Sequence, residues 1–234
     1  MSKLVMLLVG AVLAILPSVV VVSQPSMPSQ GLLEKLRLGG YVIVLRHGVT
    51  NSEVAGKDPM SNPNWRSIVE RQLTEEGRAQ ATEVGKSLRD LGIPVSAVLT
   101  SPAQRAVDAG RLLGFGKVST NPDLAEAGPA VSIDENNRRA DVLRELVGFH
   151  KAADGNLVII THKPNLVEAF GKDWANVREG EASVFEPDFS GAGFKLVARV
   201  PADQWSRLAR ASLDAPEAEI CRPPGQQAFS PHFD

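Results

Sequence analysis

The chain has 234 residues, of which 43% are hydrophobic and 22% charged, the composition of a globular protein with enough apolar material for one sizeable core. Its formal net charge of −2 excludes a broad electrostatic footprint for nucleic acid, because no basic stripe dominates the chain. Any anion that the protein binds must therefore be held locally, by a few placed cations.

The N-terminus has the layout of a secretory signal. Lys3 precedes an uncharged apolar run over residues 4–22, and a small, polar stretch that contains Pro25 follows. The run is also close to the length that spans a bilayer, so an uncleaved anchor stays open as the alternative. Both interpretations place the rest of the chain in the periplasm or outside the cell, with membrane contact only through residues 1–23 if they are not cleaved.

Cysteine and histidine are too sparse for a metal cluster or a disulfide framework. Cys221 is the only cysteine, so no disulfide can form within the chain. The four histidines lie far apart in sequence, without the spacing of a metal site. We therefore expect neither a metal nor a cofactor.

Strands and helices alternate along the chain. An amphipathic helix over residues 31–38 precedes an apolar run over 41–45 that is typical of a fully buried strand. Residues 51–72 show no periodicity and predict a long loop or small lid. Thr74 then occupies the position of a helix N-cap, and the helical pattern continues to Leu91.

The later elements continue this alternation. They are a strand over 97–100, a helix that Ser101 caps with Pro102 at its first position and that ends at Gly114, a strand over 117–120, a helix over 136–152, strands over 157–160, 182–185 and 193–200, and a helix over 201–211. Buried strands between helices imply a mainly parallel central sheet in a three-layer α/β/α sandwich over residues 31–212. Residues 213–234 form a Pro-rich tail.

Two histidines follow strands of the predicted sheet. Arg46 and His47 come after the first strand, and His162 comes after the strand over 157–160. Ligands of such sheets bind outside the carboxyl ends of the strands. Both histidines are therefore expected to face one crevice.

Four motifs occur in a fixed order: Arg46-His47-Gly48 at a strand end, residues 73–78 opening a helix, residues 101–106 after the next strand, and residues 161–166. Together they resemble the histidine phosphatase superfamily, the phosphoglycerate mutase-like proteins, in its branch 1 form. The resemblance runs from about residue 42 to residue 205. It implies the phosphoglycerate mutase-like sandwich and transfer of a phosphoryl group.

The resemblance assigns His47 as the nucleophile that becomes phosphorylated. Phosphoryl transfer is governed by positioning and by cations around the phosphate oxygens. Arg46 and Arg105 supply guanidinium groups for those oxygens, and His162 adds a donor. Thr50 either touches a phosphate oxygen or serves the turn after the motif.

In this family a carboxylate protonates the leaving group and then activates water. Glu126 lies in the segment where phosphoglycerate mutase-like members carry that glutamate, and Asp123, Asp134 and Glu135 are the local alternatives. The branch with a His-Asp pair at the second histidine is disfavoured, because Lys163 follows His162. Lys163 itself either adds charge at the pocket mouth or is solvated.

Three functions are compatible with these residues. The first is an exported phosphatase acting on a small phosphorylated substrate, such as a sugar or an envelope glycan phosphate. The second is a mutase, which export disfavours, and the third is a binding module without catalysis. The loop over 51–72, whose polar side chains include Lys57 and Arg71, either selects the leaving group or simply connects its neighbours.

Overall fold

A computed structural model of the chain describes residues 30–51, 71–150, 155–188 and 193–214. Its helices are α1 (Gln30–Leu38), α2 (Glu75–Asp90), α3 (Gln104–Leu112), α4 (Ile133–Gly148), α5 (Lys163–Phe170) and α6 (Ala202–Asp214). Its strands are β1 (Val42–Arg46), β2 (Val95–Thr100), β3 (Val118–Thr120), β4 (Asn156–Thr161), β5 (Ala182–Asp188) and β6 (Gly193–Val200). Short 3₁₀ turns cover Pro122–Leu124 and Lys172–Asn176.

The six strands form one sheet in the order β3-β2-β4-β1-β5-β6. The first four strands in that order run parallel, whereas β5 is antiparallel to both β1 and β6. In the central pair, Leu45 of β1 lies opposite Ile160 of β4, and Arg46 lies opposite Thr161. The mainly parallel sheet predicted from the sequence is confirmed.

Helices cover both faces of this sheet because its central strands are apolar on both sides. Ile43 and Leu45 of β1 pack into a core with α1, α2, α3 and α6, while Val42 and Val44 pack into a second core with α4 and α5. All four side chains are buried. The result is the predicted α/β/α sandwich, with β1 at its centre.

Helix α2 begins where the sequence predicts it. The Thr74 hydroxyl accepts a hydrogen bond from the Gly77 amide at 3.1 Å, the interaction expected of an N-cap. A Cβ atom on Gly77 would lie 2.2 Å from the Val49 carbonyl oxygen, and one on Gly48 would lie 2.7 Å from the Gly77 carbonyl oxygen. The glycine of the Arg46-His47-Gly48 motif therefore lets the chain after β1 pass directly against the first turn of α2.

Helices α3 and α4 differ from their predicted bounds, and one further helix was not predicted. Helix α3 begins at Gln104 with Ala103 as its N-cap, so Ser101 and Pro102 precede it. Helix α4 begins three residues earlier than predicted, since the Ser132 hydroxyl accepts from the Glu135 amide at 3.2 Å, and it ends at Gly148. Helix α5 was not predicted, because an eight-residue helix directly after a strand leaves little periodic signal.

The predicted export segment, residues 52–70 of the predicted loop and the tail beyond Asp214 lie outside the described residues. The predicted domain boundaries therefore stay predictions. Among the helices that the structure describes, none has the length and apolar character needed to cross a membrane.

Candidate active site

The two histidines of the sequence motifs meet at the carboxyl ends of the central strands. His47 directly follows β1, and its amide donates to the Thr161 carbonyl at the end of β4 at 3.1 Å. The His47 and His162 rings lie edge to face, with their centroids 5.2 Å apart. Ser101 extends the same edge, since its amide donates to the Ile160 carbonyl at 2.9 Å. The structure therefore brings both histidines together at one edge of the sheet, and the crevice that they were expected to face stays a prediction.

Arg105 lies at the centre of this cluster of side chains. It is the second residue of α3, and its side chain is fully buried. Its Nε donates to His47 Nε2 at 3.3 Å, and its Nη2 donates to a Glu126 carboxylate oxygen at 2.8 Å. The same Nη2 lies 3.2 Å from His162 Nδ1. One guanidinium group thus contacts both histidines and the predicted acid.

The contacts of His47 define its tautomer. Its Nδ1 lies 2.9 Å from the Gly48 carbonyl oxygen, which can only accept, so Nδ1 carries the hydrogen. The lone pair is then on Nε2, facing Arg105. Burial, followed by the charge of Arg105, lowers the pKa of His47 from 6.5 to about 3. The ring is therefore neutral near pH 7, with an unprotonated nitrogen inside the site.

His162 is fixed by a second pair of contacts. Its Nδ1 accepts from Arg105, so its Nε2 carries the hydrogen and donates to the Ser101 hydroxyl at 2.7 Å. Burial, and next the charge of Arg105, holds the pKa of His162 well below its ordinary value. The structure thus gives His162 contacts with Arg105 and Ser101, and its predicted contact with phosphate stays a prediction.

Glu126 is the carboxylate that reaches the buried arginine. One of its oxygens bonds Arg105, and the other accepts from Arg71 Nη2 at 3.2 Å. The alternatives lie elsewhere: Asp123 and Glu135 pair with Arg138, and Asp134 is exposed. Position therefore favours Glu126 over the other three carboxylates, while its catalytic role stays a prediction.

Arg71 belongs to the site, although the sequence suggested only a leaving-group or connecting role for its loop. Its side chain is 18% exposed and pairs with Glu126. The feature of the sequence that could have identified Arg71 as a site residue is its position two residues before the Leu73-Thr74 pair that opens α2. An arginine at that point is carried to the same edge of the sheet as the end of β1, since Thr50 and Leu73 form an antiparallel bridge.

Arg46 and Thr50 lie at the border of the site. Arg46 donates through Nη1 to the Val177 carbonyl at 2.8 Å and through Nη2 to Glu179 at 3.1 Å. Thr50 is buried and is held by its bridge to Leu73. The predicted contacts of these two residues with phosphate stay predictions.

Two guanidinium groups lie at the centre of the site. Arg105 and Arg71 both bond the Glu126 carboxylate, and both neighbouring histidines are held neutral. The two guanidinium groups converge on carboxylate oxygens with the geometry that also suits phosphate oxygens. Across the described ranges, no group of three or more His, Cys, Asp or Glu side chains could hold a metal ion.

Comparison with known families agrees with this fold and these motifs. The model of the histidine phosphatase superfamily (branch 1) matches residues 42–131. That match covers 90 of the 234 residues and includes His47, Arg105 and Glu126. A region of 108 residues is 28% identical to an uncharacterized protein of Picosynechococcus sp.. That region spans 44% of this chain and 62% of the relative, which is less than two thirds of its length.

Solved structures share the fold at low sequence identity. The product of open reading frame Rv3214 from Mycobacterium tuberculosis is 20% identical with a TM-score of 0.51, over 69% of this chain and 98% of that one. The protein histidine phosphatase SixA complexed with tungstate is 17% identical with a TM-score of 0.51, over 70% and 97%. A phosphoserine phosphatase from Entamoeba histolytica in complex with phosphoserine is 15% identical with a TM-score of 0.51, over 70% and 98%.

The low pKa of His47 predicts how acid affects stability. Between pH 6.5 and about 3 the unfolded chain binds a proton at His47 that the folded chain rejects, so the free energy of unfolding falls as the pH falls through that window. In His47→Gln this loss disappears, while the two largest causes of the low His162 pKa, burial and the charge of Arg105, remain in both proteins. The free energy of unfolding of each protein is measured with urea between pH 4 and 8. Above pH 7 the difference between the two values should be constant, and below pH 6 the variant should lose less of its free energy of unfolding than the parent does. If the free energies of unfolding of the two proteins fall in parallel as the pH falls, His47 is not buried in its neutral form.

Proposed function

We propose that the protein is a phosphatase that hydrolyses phosphate monoesters through a phosphohistidine intermediate on His47, outside the cytoplasm. The observation that carries the proposal is the neutral, buried His47 ring, whose Nε2 lone pair lies 3.3 Å from the Arg105 guanidinium. That guanidinium also holds Glu126 at 2.8 Å. A nucleophile, a cation and an acid thus share one centre, which is the set of groups that phosphoryl transfer needs.

In the first step the lone pair on His47 Nε2 attacks phosphorus, and the bond from phosphorus to the leaving-group oxygen breaks. Arg105 and Arg71 hold phosphoryl oxygens and stabilise the charge on them. The ring becomes positively charged as the N–P bond forms. The Gly48 carbonyl, which accepts from Nδ1 at 2.9 Å, stabilises that charge and keeps the ring oriented.

Glu126 protonates the departing oxygen in this step. Its two arginine partners favour the ionised carboxylate before substrate binds. A phosphoryl dianion competes for the same guanidinium groups and adds negative charge beside the carboxylate. Both effects favour uptake of one proton from solvent by Glu126 when substrate binds, which gives the protonated form that a general acid requires.

In the second step water attacks the phosphohistidine. The Glu126 carboxylate, left ionised by the first step, takes a proton from that water as the new P–O bond forms. The N–P bond breaks and its electron pair returns to Nε2. Inorganic phosphate leaves, His47 is again neutral, and Glu126 returns the proton taken from water to the solvent as its carboxylate pairs with the two arginines again.

The substrate that we propose is a small phosphorylated molecule, such as a sugar or an envelope glycan phosphate. The apolar run over residues 4–22 supports a site of action outside the cytoplasm. Export also favours hydrolysis over the mutase alternative. The arginines supply the positive charge that a metal gives in other phosphatases, so the proposed reaction requires no added metal or cofactor.

The covalent intermediate should be trapped on His47. Quenching in alkaline detergent after reaction with a labelled ester, in the presence of EDTA, is expected to yield a phosphoenzyme in the parent that is stable in alkali and lost in acid, and none in His47→Ala. His150→Ala is the matched control, because His150 lies before β4 at the opposite end of the sheet, and it should label like the parent. Turnover of a good ester without any phosphoenzyme would overturn the covalent mechanism.

The acid role of Glu126 should appear as a dependence on the leaving group. Glu126→Gln is expected to slow the burst phase with an alkyl phosphate by about 10²-fold, because an alkoxide needs a proton to depart. The burst with p-nitrophenyl phosphate should change far less, since its phenolate leaves unprotonated. Asp134→Asn, which removes an exposed carboxylate nearby, should leave both bursts unchanged. An equal loss for both esters in Glu126→Gln would place the acid elsewhere.

The location can be tested by fractionating a bacterial host that expresses the whole chain. Activity is expected in the periplasmic fraction, on a protein whose N-terminus begins near Gln24. A chain without residues 1–23 should stay in the cytoplasm as the control. Full-length soluble protein in the cytoplasm would contradict the proposal, and recovery in washed membranes would favour the uncleaved anchor.

A further inference from the structure

A single buried amide brackets Glu126 on both sides. The Asn165 Nδ2 donates to the carbonyl of Ala125 at 2.8 Å, and the Asn165 Oδ1 accepts from the amide of Ala127 at 3.1 Å. Ala125 and Ala127 are the two chain neighbours of Glu126. The Asn165 side chain therefore fixes the peptide groups from which Glu126 projects, without contacting the Glu126 carboxylate.

The position of Asn165 links this bracket to the rest of the site. Asn165 lies in the first turn of α5 and is only 2% exposed, and His162 is the N-cap of the same helix. His162 contacts Arg105, which in turn bonds the Glu126 carboxylate. One helical turn thus determines both where Arg105 is held and where the backbone of Glu126 lies.

The segment that carries Glu126 needs such support because it has no regular structure of its own. It follows the 3₁₀ turn Pro122–Leu124 and precedes α4, so no helix or strand ladder fixes its peptide groups. Further contacts come from Arg139, whose Nη1 donates to the Glu126 carbonyl at 2.9 Å, and from Thr161, whose hydroxyl donates to the Leu124 carbonyl at 3.1 Å. Only Asn165, among these three, contacts both neighbours of Glu126.

The chemistry of the side chain suits this task. An amide offers one acceptor and two donors, so it can satisfy a carbonyl and an N–H group at once. An ionised aspartate could accept from Ala127, but it would turn a charged oxygen towards the Ala125 carbonyl. The bracket therefore requires asparagine rather than any side chain of similar size.

We propose that Asn165 is a positioning residue for the general acid, acting through the backbone on either side of Glu126. The inference rests on the proposed function, since it assumes that Glu126 protonates the leaving group. General acid catalysis depends on the donor lying within hydrogen-bonding reach of the departing oxygen, and a misplacement of about 1 Å can cost about 10²-fold in rate. Releasing the bracket should therefore damage the steps that need the acid and spare those that do not.

The test compares burst rates with p-nitrophenyl phosphate and an alkyl phosphate in the full chain. Asn165→Ala is expected to raise the aryl-to-alkyl ratio by about 10-fold or more, in the direction of Glu126→Gln. Combined with Glu126→Gln it should raise the ratio no further, because the two changes remove the same function. Asn136→Ala is the matched control: Asn136 makes the same pair of contacts with the amide and carbonyl of Gly128, two residues past Glu126, and its loss should leave the ratio unchanged.

Each outcome separates this inference from the proposed function. An equal fall for both esters in Asn165→Ala, or no fall for either, overturns the positioning role. Asn165→Asp keeps the side-chain volume and should show the same selective loss of the alkyl phosphate burst. If neither Asn165 variant retains a burst with p-nitrophenyl phosphate, Asn165 serves the fold and the inference is wrong. If Glu126→Gln itself leaves the ratio unchanged, the acid assignment fails, whatever Asn165 does.

Discussion

The burial of the Arg105 guanidinium is the constraint on which the rest of the site depends. A charge that is removed from water must be paired and hydrogen-bonded, or it destabilises the fold. Glu126 supplies the opposite charge, while His47 and His162 supply acceptor nitrogens. A histidine can accept from arginine only in its neutral form. The requirement to satisfy Arg105 therefore also produces an unprotonated nitrogen at the end of β1.

The sheet order explains why these residues, which are distant in sequence, meet. Strands β2, β4 and β1 are neighbours, so the residues after them lie along one edge. The chain leaves β1 and β2 towards the face that α2 and α3 cover, but it leaves β4 towards the face that α5 covers. Adjacent strands whose connections diverge open a crevice between them, and such crevices bind ligands in open α/β sheets. His47 and His162 lie on either side of that divergence.

The sequence predicted what local patterns encode, and it missed what depends on distant contacts. The apolar run of β1 indicates a strand buried on both faces, and the Thr74 hydroxyl is a cap within its own helix, so both were predictable. The predicted start of α3 was wrong: the Ser101 hydroxyl accepts from the Ala103 amide before the helix begins, and it also bonds His162, a partner 61 residues away. Arg71 bonds Glu126 across 55 residues and Asn165 bonds Ala125 across 40 residues, and no spacing rule indicates such pairs. The roles of His47, Arg46, Thr50, Arg105, Glu126 and His162 towards phosphate rest on the family resemblance.

Glu126 has two tasks that conflict unless its backbone is fixed. It balances the charge of Arg105 as a carboxylate, and in the proposed mechanism it must release the arginines and carry a proton when a phosphoryl group enters. A flexible loop would let the whole segment move away once those ion pairs are exchanged for phosphate. With the peptide groups on either side held by Asn165, the exchange is confined to rotations of the glutamate side chain. The carboxyl group then stays within a side-chain length of the arginines, and hence of the phosphoryl oxygens that replace it.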